Sequence, residues 1–227
     1  MLCLVYMYAT VFLVFTVLHL YGSIKKDSSL RNPTKPVILL AILGMYLEWV
    51  HYKGSEPSLY LVAALMTSWL GDILLIPKGV QWFTAGGILF WISHFLFILT
   101  YWKSGIVFSA IEPAHMVLIA LIYTAFVTFV FSKLKKSLPE RLFLLMYFYL
   151  LTNGAMNAFA WFRLLSGACS VASGLATAIG AVGFFVSDSL LFFVRFDKSF
   201  PVRNHFPVML TYSLGEFLIV LGLMLLV

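Results

Sequence analysis

Charge is what this sequence has least of. Asp, Glu, Lys and Arg make up 11% of the chain, against a hydrophobic fraction of 62% and a mean hydropathy of +1.00. Soluble domains carry about 25% charged and about 45–50% apolar residues. A water-facing globule could not bury this much apolar surface, so the composition reads as an integral membrane protein. Apolar and polar residues do not alternate, which excludes a transmembrane barrel built from alternating segments of about ten residues. Cysteine is nearly absent too. Cys3 and Cys169 do not make a disulfide framework, and free thiols are expected. Familiar catalytic signatures are also missing. There is no Gly-x-Ser-x-Gly elbow, no phosphate-cradling glycine loop and no His-Glu-x-x-His. His19, His51, His94, His115 and His205 are scattered over both predicted faces, so a three-histidine zinc centre is not expected.

What the chain has is long apolar runs. A spanning helix needs about 20 apolar residues. Candidate spans are Leu2–Gly22, Pro36–Trp49, Leu59–Ile76, Phe83–Trp102, Pro113–Phe131, Leu142–Arg163, Val171–Val194 and Phe206–Val227. They predict an all-α polytopic membrane protein, a single eight-helix transmembrane domain over residues 1–227. The second span is the shortest. The first lacks a preceding basic stretch and a small-residue cleavage site, so it reads as a helix and not a signal peptide. Pro36, Pro113 and Pro207 fall in predicted first turns, where a missing N–H costs nothing. Gly180 and Gly183, with Ala176, offer a small-residue face for close helix packing. Trp49, Trp82, Trp102 and Trp161 fall near the predicted interfaces.

The net charge of +6 does not point to nucleic acid, because the basic residues occupy short loops between apolar runs. Loops after the odd-numbered spans carry Lys25, Lys26, Arg31, Lys35, Lys78, Lys133, Lys135, Lys136, Arg141, Arg195, Lys198 and Arg203. The other side receives Lys53, Lys103 and Arg163, so the split of all fifteen is twelve against three. The positive-inside rule then places the odd-numbered loops in the cytoplasm and both termini outside it. That placement suits a bacterial inner membrane, or the endoplasmic reticulum of a eukaryote.

Several polar residues interrupt the runs. Asp72 stands in an otherwise uncharged stretch, where a carboxylate costs roughly 2.5–3.5 kcal/mol on insertion scales. Asp188 repeats the anomaly, and the two segments SWLGDILL and FFVSDSLL hint at a weak internal repeat. His94, Asn153, Asn157, Tyr212 and Glu216 lie inside other spans. At about 1.5 Å per residue, the three carboxylates sit roughly 6, 10 and 15 Å from the cytoplasmic ends of their spans. His94 and the asparagines lie close to the midplane. One polar chamber, with Lys35 at its mouth, would hold them all. Each residue has a plainer use: Asp72 as a snorkelling carboxylate, His94 as an interhelical hydrogen-bond donor, Asn153 and Asn157 as polar glue between helices.

Two carboxyls in a low-dielectric pocket can share a proton and so supply a general acid and a general base together. That suits hydrolysis of a bond that breaks after proton donation. Intramembrane carboxylates also form proton relays, so a small proton-coupled transporter is the competing reading, and a non-catalytic lipid-binding protein a third.

Lys35-Pro36, Leu70-Gly71-Asp72, Ser93-His94-Phe95, Ser187-Asp188 and Tyr212–Ile219, in this order over nearly the whole chain, resemble the YhhN family of lysoplasmalogenase-like membrane proteins. The resemblance implies hydrolysis of the vinyl ether bond of a lysoplasmalogen to a fatty aldehyde and glycerophospho-ethanolamine or -choline, with no metal or cofactor. It makes Asp72 and Asp188 the catalytic pair; their depths then assign the acid to the deeper Asp188 and the base to the shallower Asp72. Lys35 would meet the lipid phosphate, and His94, Asn153, Asn157, Tyr212 and Glu216 would contact substrate or water. Glu216 departs from the family pattern, which often has Gln or His there.

Overall fold

The computed structural model describes residues 2–202 and 204–226. Arg203, one of the predicted loop cations, and Val227, the predicted end of the last span, lie outside the described residues. Among the described residues all regular structure is helical. The helices are α1 (Leu2–Lys25), α2 (Ser28–Lys53), α3 (Leu59–Leu74), α4 (Val80–Lys103), α5 (Pro113–Leu134), α6 (Phe143–Leu165), α7 (Val171–Phe196) and α8 (Phe206–Met224). Single 3₁₀ turns at Phe108–Ala110 and Glu140–Leu142 introduce α5 and α6. Among the described residues seven helices are long and apolar enough to cross a membrane. The exception is α3, whose 16 residues rise about 24 Å, short of a hydrocarbon core about 30 Å thick.

Two predicted boundaries are corrected. The second span is not short: α2 runs for 26 residues and starts at Ser28. Its start is fixed by Asp27, whose carboxylate accepts from the Ser29 (2.9 Å) and Leu30 (3.4 Å) amides. The same hydrogen bonds, led by that from the Ser29 hydroxyl, hold the exposed Asp27 carboxyl below its usual range. Pro36 is therefore inside the helix with Pro33, not in its first turn, and two backbone hydrogen bonds are forgone. Conversely α3 stops at Leu74, because Leu75 and Ile76 close a turn ahead of Pro77. Pro113 and Pro207 do occupy first turns.

Helices α2, α3, α4, α6, α7 and α8 pack successively and close through α8 against α2. Outside this ring, α1 rests on α2 and α8, and α5 on α6 and α7. Both outer helices turn apolar side chains outward: Leu13 is 61% exposed and Leu121 62%. Such surfaces suit lipid and not water. Cys3 and Cys169 are free.

The small-residue face lies between α7 and α8. Gly180, Gly183, Gly215 and Gly222 let the two backbones approach. A Cβ on Gly180 would lie 2.6 Å from both the Gly215 carbonyl oxygen and the Ile219 nitrogen, and neither backbone atom can swing aside. Gly180→Ala is therefore expected to destabilise the detergent-solubilised protein by about 1–3 kcal/mol. Gly87, whose added Cβ would meet open space, should accept Ala at no loss. Thermal unfolding of the two variants checks this.

Candidate active site

A cavity of about 470 Å³ opens where α1 joins α2, α3 joins α4, and α7 joins α8. Its mouth is basic, lined by Lys26, Arg31, Lys78 and Arg195 with His205. Its depths carry Lys35, Asp72, Asp188 and Tyr212. The segments after α1, α3 and α7, three of the four that the charge count grouped together, thus meet at this cavity.

Asp72 is 2% exposed on the inner face of α3. Lys35 of α2 places its ammonium 2.9 Å from Asp72 Oδ1 and also donates to the Asp72 backbone carbonyl (3.3 Å). Tyr212 of α8 donates its phenol to Asp72 Oδ2 (2.8 Å). Three helices therefore hold one carboxylate, and both of its oxygens are engaged.

Asp188 is 5% exposed on α7. Its Oδ2 accepts from the Tyr149 phenol (2.6 Å) and the Asn153 amide (2.7 Å), both from α6. His94 of α4 brings Nε2 to 3.4 Å from the same oxygen, wedged between the Tyr149 and Phe184 rings. Among the described residues no side chain donates a hydrogen bond to Oδ1. Both aspartates line the same cavity.

Behind Asp188 runs a chain of donors. Trp161 Nε1 donates to Tyr123 (3.0 Å), Tyr123 to Asn157 Oδ1 (3.3 Å), and Asn157 to Asn153 Oδ1 (3.1 Å), which in turn holds Asp188. The i,i+4 stripe Tyr149, Asn153, Asn157 presents this network from one face of α6.

Of the residues singled out from sequence, Asp72, Asp188, Lys35 and Tyr212 line the cavity. Asn153 reaches it only through Asp188, and Asn157 only through Asn153. His94 and Glu216 are wholly buried in the layer behind. Among the described residues, neither oxygen of Glu216 has a hydrogen-bond partner, and the ring nitrogens of His94 have none beyond the 3.4 Å approach to Asp188. The Ser68 hydroxyl lies near Glu216 but is joined to Ser93 Oγ at 2.7 Å. Sequence reasoning missed Tyr149, Arg31, Arg195, His19 and His205. Tyr149 could have been found by extending the Asn153–Asn157 stripe back one turn.

His205, just before α8, has its pKa lowered to about 4, first by burial and then by Arg31, Lys35 and Arg195. It is neutral at physiological pH, mainly because it is buried. A small apolar pocket of about 30 Å³ adjoins the cavity, sharing Leu75, Phe83, Phe90 and Leu191 with it and reaching Met146 and Tyr149. Among the described residues no group of three or more His, Cys, Asp or Glu is arranged to hold a metal ion.

The model of the YhhN family matches residues 30–223 of the 227. The chain belongs to the YhhN family. No curated protein and no solved structure gives a match. The YhhN match covers α2 to α8 and so takes in both aspartates and every side chain that holds them. Helix α1 lies before it, although His19 of α1 forms part of the cavity wall and is joined through Nδ1 to Thr34 of α2 (3.1 Å).

Proposed function

We propose that this YhhN-family protein is a multi-pass membrane hydrolase that cleaves the vinyl ether bond of a lysoplasmalogen. What carries the reading is the presence of Asp72 and Asp188 in the lining of one cavity beneath a basic mouth. Lysoplasmalogenase activity is associated with the family, and the cavity has the parts this reaction requires.

The alkenyl chain enters along the apolar wall that Leu75, Phe83, Phe90 and Leu191 give the larger cavity, and the phosphate meets the cations. Asp188 gives a proton from Oδ1 to the alkene carbon remote from oxygen. The carbon bonded to oxygen becomes an oxocarbenium ion, which the carboxylates stabilise across a low-dielectric gap. Asp72 takes a proton from a water as that water adds to the cation. The hemiacetal so formed collapses as Asp72 gives its proton to the ether oxygen and the hemiacetal hydroxyl gives its proton to Asp188, releasing an aldehyde and the glycerol hydroxyl. One water is consumed and the carboxyls end as they began. Tyr212 holds Asp72, and Tyr149 and Asn153 hold Asp188, so neither carboxyl must reorient during the step.

By the positive-inside rule the cavity opens to the cytoplasmic side and both termini lie opposite. The test is aldehyde release from lysoplasmenyl-ethanolamine by the purified protein in detergent, where no gradient exists. Release supports the hydrolase. Its absence, together with proton flux through the protein in liposomes, would replace the hydrolase by a carrier.

A further inference from the structure

Helix α1 lies outside the segment that the family model matches, yet it brings His19 to the cavity wall. His19 is 1% exposed, and its Nδ1 is 3.1 Å from Thr34 Oγ1. The threonine settles which nitrogen carries the proton. Its single hydroxyl proton is directed at the Leu30 and Arg31 carbonyls of the preceding turn (2.8 and 3.0 Å). Thr34 is left to accept, so His19 Nδ1 is the donor. In the neutral ring Nε2 then holds a lone pair and no proton. Among the described residues that nitrogen has no hydrogen-bond partner.

Buried polar atoms are nearly always paired, so an unpaired one calls for a reason. A tie between α1 and α2 needs only Nδ1. Thr16 and Ser23 share the inner face of α1 with His19, and their hydroxyls are also buried without a partner. Of the three only His19 lines the cavity, so only its acceptor can be met by a molecule that enters. The place of the ring narrows the donor. His19 docks on the turn of α2 that runs from Arg31 to Lys35. Arg31 lines the mouth, and Lys35 reaches down to Asp72 (2.9 Å). A lysolipid with its phosphate among the cations and its ether carbon at the aspartates spans the same interval, with the middle glycerol carbon between. That carbon bears a free hydroxyl. In a choline lysolipid it is the single hydrogen-bond donor, because the quaternary ammonium has no N–H and the phosphodiester and ether oxygens only accept.

We infer that His19 Nε2 is the acceptor for the free glycerol hydroxyl of the lysolipid, a specificity contact that rests on the proposed lysolipid cavity but not on the vinyl ether chemistry. Choline and ethanolamine lysolipids both carry this hydroxyl and both satisfy the site. A two-chain lipid has an ester in its place, leaves Nε2 unpaired and adds bulk beside the ring. Rejection of a ligand that lacks a matched hydroxyl is the usual consequence of such an acceptor.

The experiment uses saturated 1-alkyl phosphocholines of one chain length, which have no vinyl ether to cleave, bound to the full-length protein in a neutral detergent. Lipids with a hydroxyl, a hydrogen or a methoxy group on the middle glycerol carbon are compared by titration and by ligand-induced thermal shift. The 2-hydroxy lipid is expected to bind about tenfold more tightly than the 2-deoxy lipid, and the 2-methoxy lipid no better than the 2-deoxy. In His19→Phe, which keeps a ring but has no acceptor, the hydroxy-to-deoxy ratio should fall to about one. Thr34→Val removes the acceptor that holds the Nδ1 proton and should narrow the ratio too, which keeps the test alive if His19→Phe misfolds. Equal binding of the 2-hydroxy and 2-deoxy lipids by the native protein overturns the inference, as does a ratio unchanged in a folded variant. Binding of none of the three would remove the lysolipid cavity and this contact with it. A hydroxyl preference with no aldehyde release from any alkenyl lysolipid would leave the His19 contact standing and remove the hydrolase reading. Aldehyde release with no hydroxyl preference would do the reverse.

Discussion

Asp188→Asn is expected to lower aldehyde release by about 10²–10⁴-fold, the usual contribution of a positioned general acid. The substitution keeps the shape of the side chain. Its amide oxygen can still accept from Tyr149 and Asn153, which now bond Oδ2 at 2.6 and 2.7 Å. What is lost is the ability to give a proton from Oδ1. Folding and lipid binding should therefore survive while turnover does not. Tyr149→Phe removes one hydrogen bond to Asp188, worth about 0.5–1.5 kcal/mol, and should lower the rate by roughly 2–10-fold without affecting saturated lysolipid binding. An Asp188→Asn protein that cleaves as fast as the parent would remove Asp188 from the chemistry.

The largest expected loss of stability lies at the opposite end of the bundle. Arg163, near the end of α6, is wholly buried. It was expected as a loop charge on the sparsely charged side, but the structure folds it inward. Its Nε donates to Ser104 (3.0 Å), Nη1 to Thr177 (2.9 Å) and to the Ser173 carbonyl (3.4 Å), and Nη2 to Ser173 Oγ (2.8 Å). Ser173 in turn donates to the Gly222 carbonyl, so one guanidinium fastens the ends of α4, α6 and α7 and reaches α8. Arg163→Ala would open a cavity and strand these partners at once. The expected cost is about 3–5 kcal/mol, the range for losing a large buried side chain or one member of a buried polar network. Thermal unfolding should show it as a pronounced fall in midpoint, with Arg163→Lys falling between because an ammonium cannot span three partners. Aldehyde release per folded molecule should be unchanged, since Arg163 is remote from Asp72 and Asp188. A loss under about 0.5 kcal/mol, typical of surface sites, would contradict this account of the residue.

The two aspartates were legible because a charge in an apolar run is conspicuous against its surroundings. Their shared cavity followed from the loop charges, since odd-numbered loops must meet at one face if every run spans. Helix boundaries were less legible. The stretch from Ser28 to Lys35 is too polar to register as part of a span, yet Asp27 caps it and α2 begins there. Leu75 and Ile76 are apolar enough to extend α3 on paper, but they form the turn before Pro77. Tyr149 is one aromatic among many, and only its i,i+4 relation to Asn153 distinguishes it. Arg31, Lys78 and Arg195 were read as markers of topology. Their convergence on one opening is a property of the closed helix ring and cannot be seen along the chain. Arg163 was misplaced for a related reason: its partners are hydroxyls and carbonyls, which leave no charge pattern to detect.

The most direct test of the paired-carboxyl account is a double-mutant cycle run in heavy water. Wild type, Asp72→Asn, Asp188→Asn and the double variant would each be given an alkenyl lysophospholipid, with the aldehyde trapped as it forms. The account predicts that wild-type aldehyde carries one deuterium on the carbon next to the carbonyl, because solvent-derived hydrogen is delivered there. It also predicts that the double variant is little slower than the slower single variant, because residues acting as a unit lose their effect together. Aldehyde without that deuterium, or a double variant whose loss is the full product of the two single losses, would contradict it.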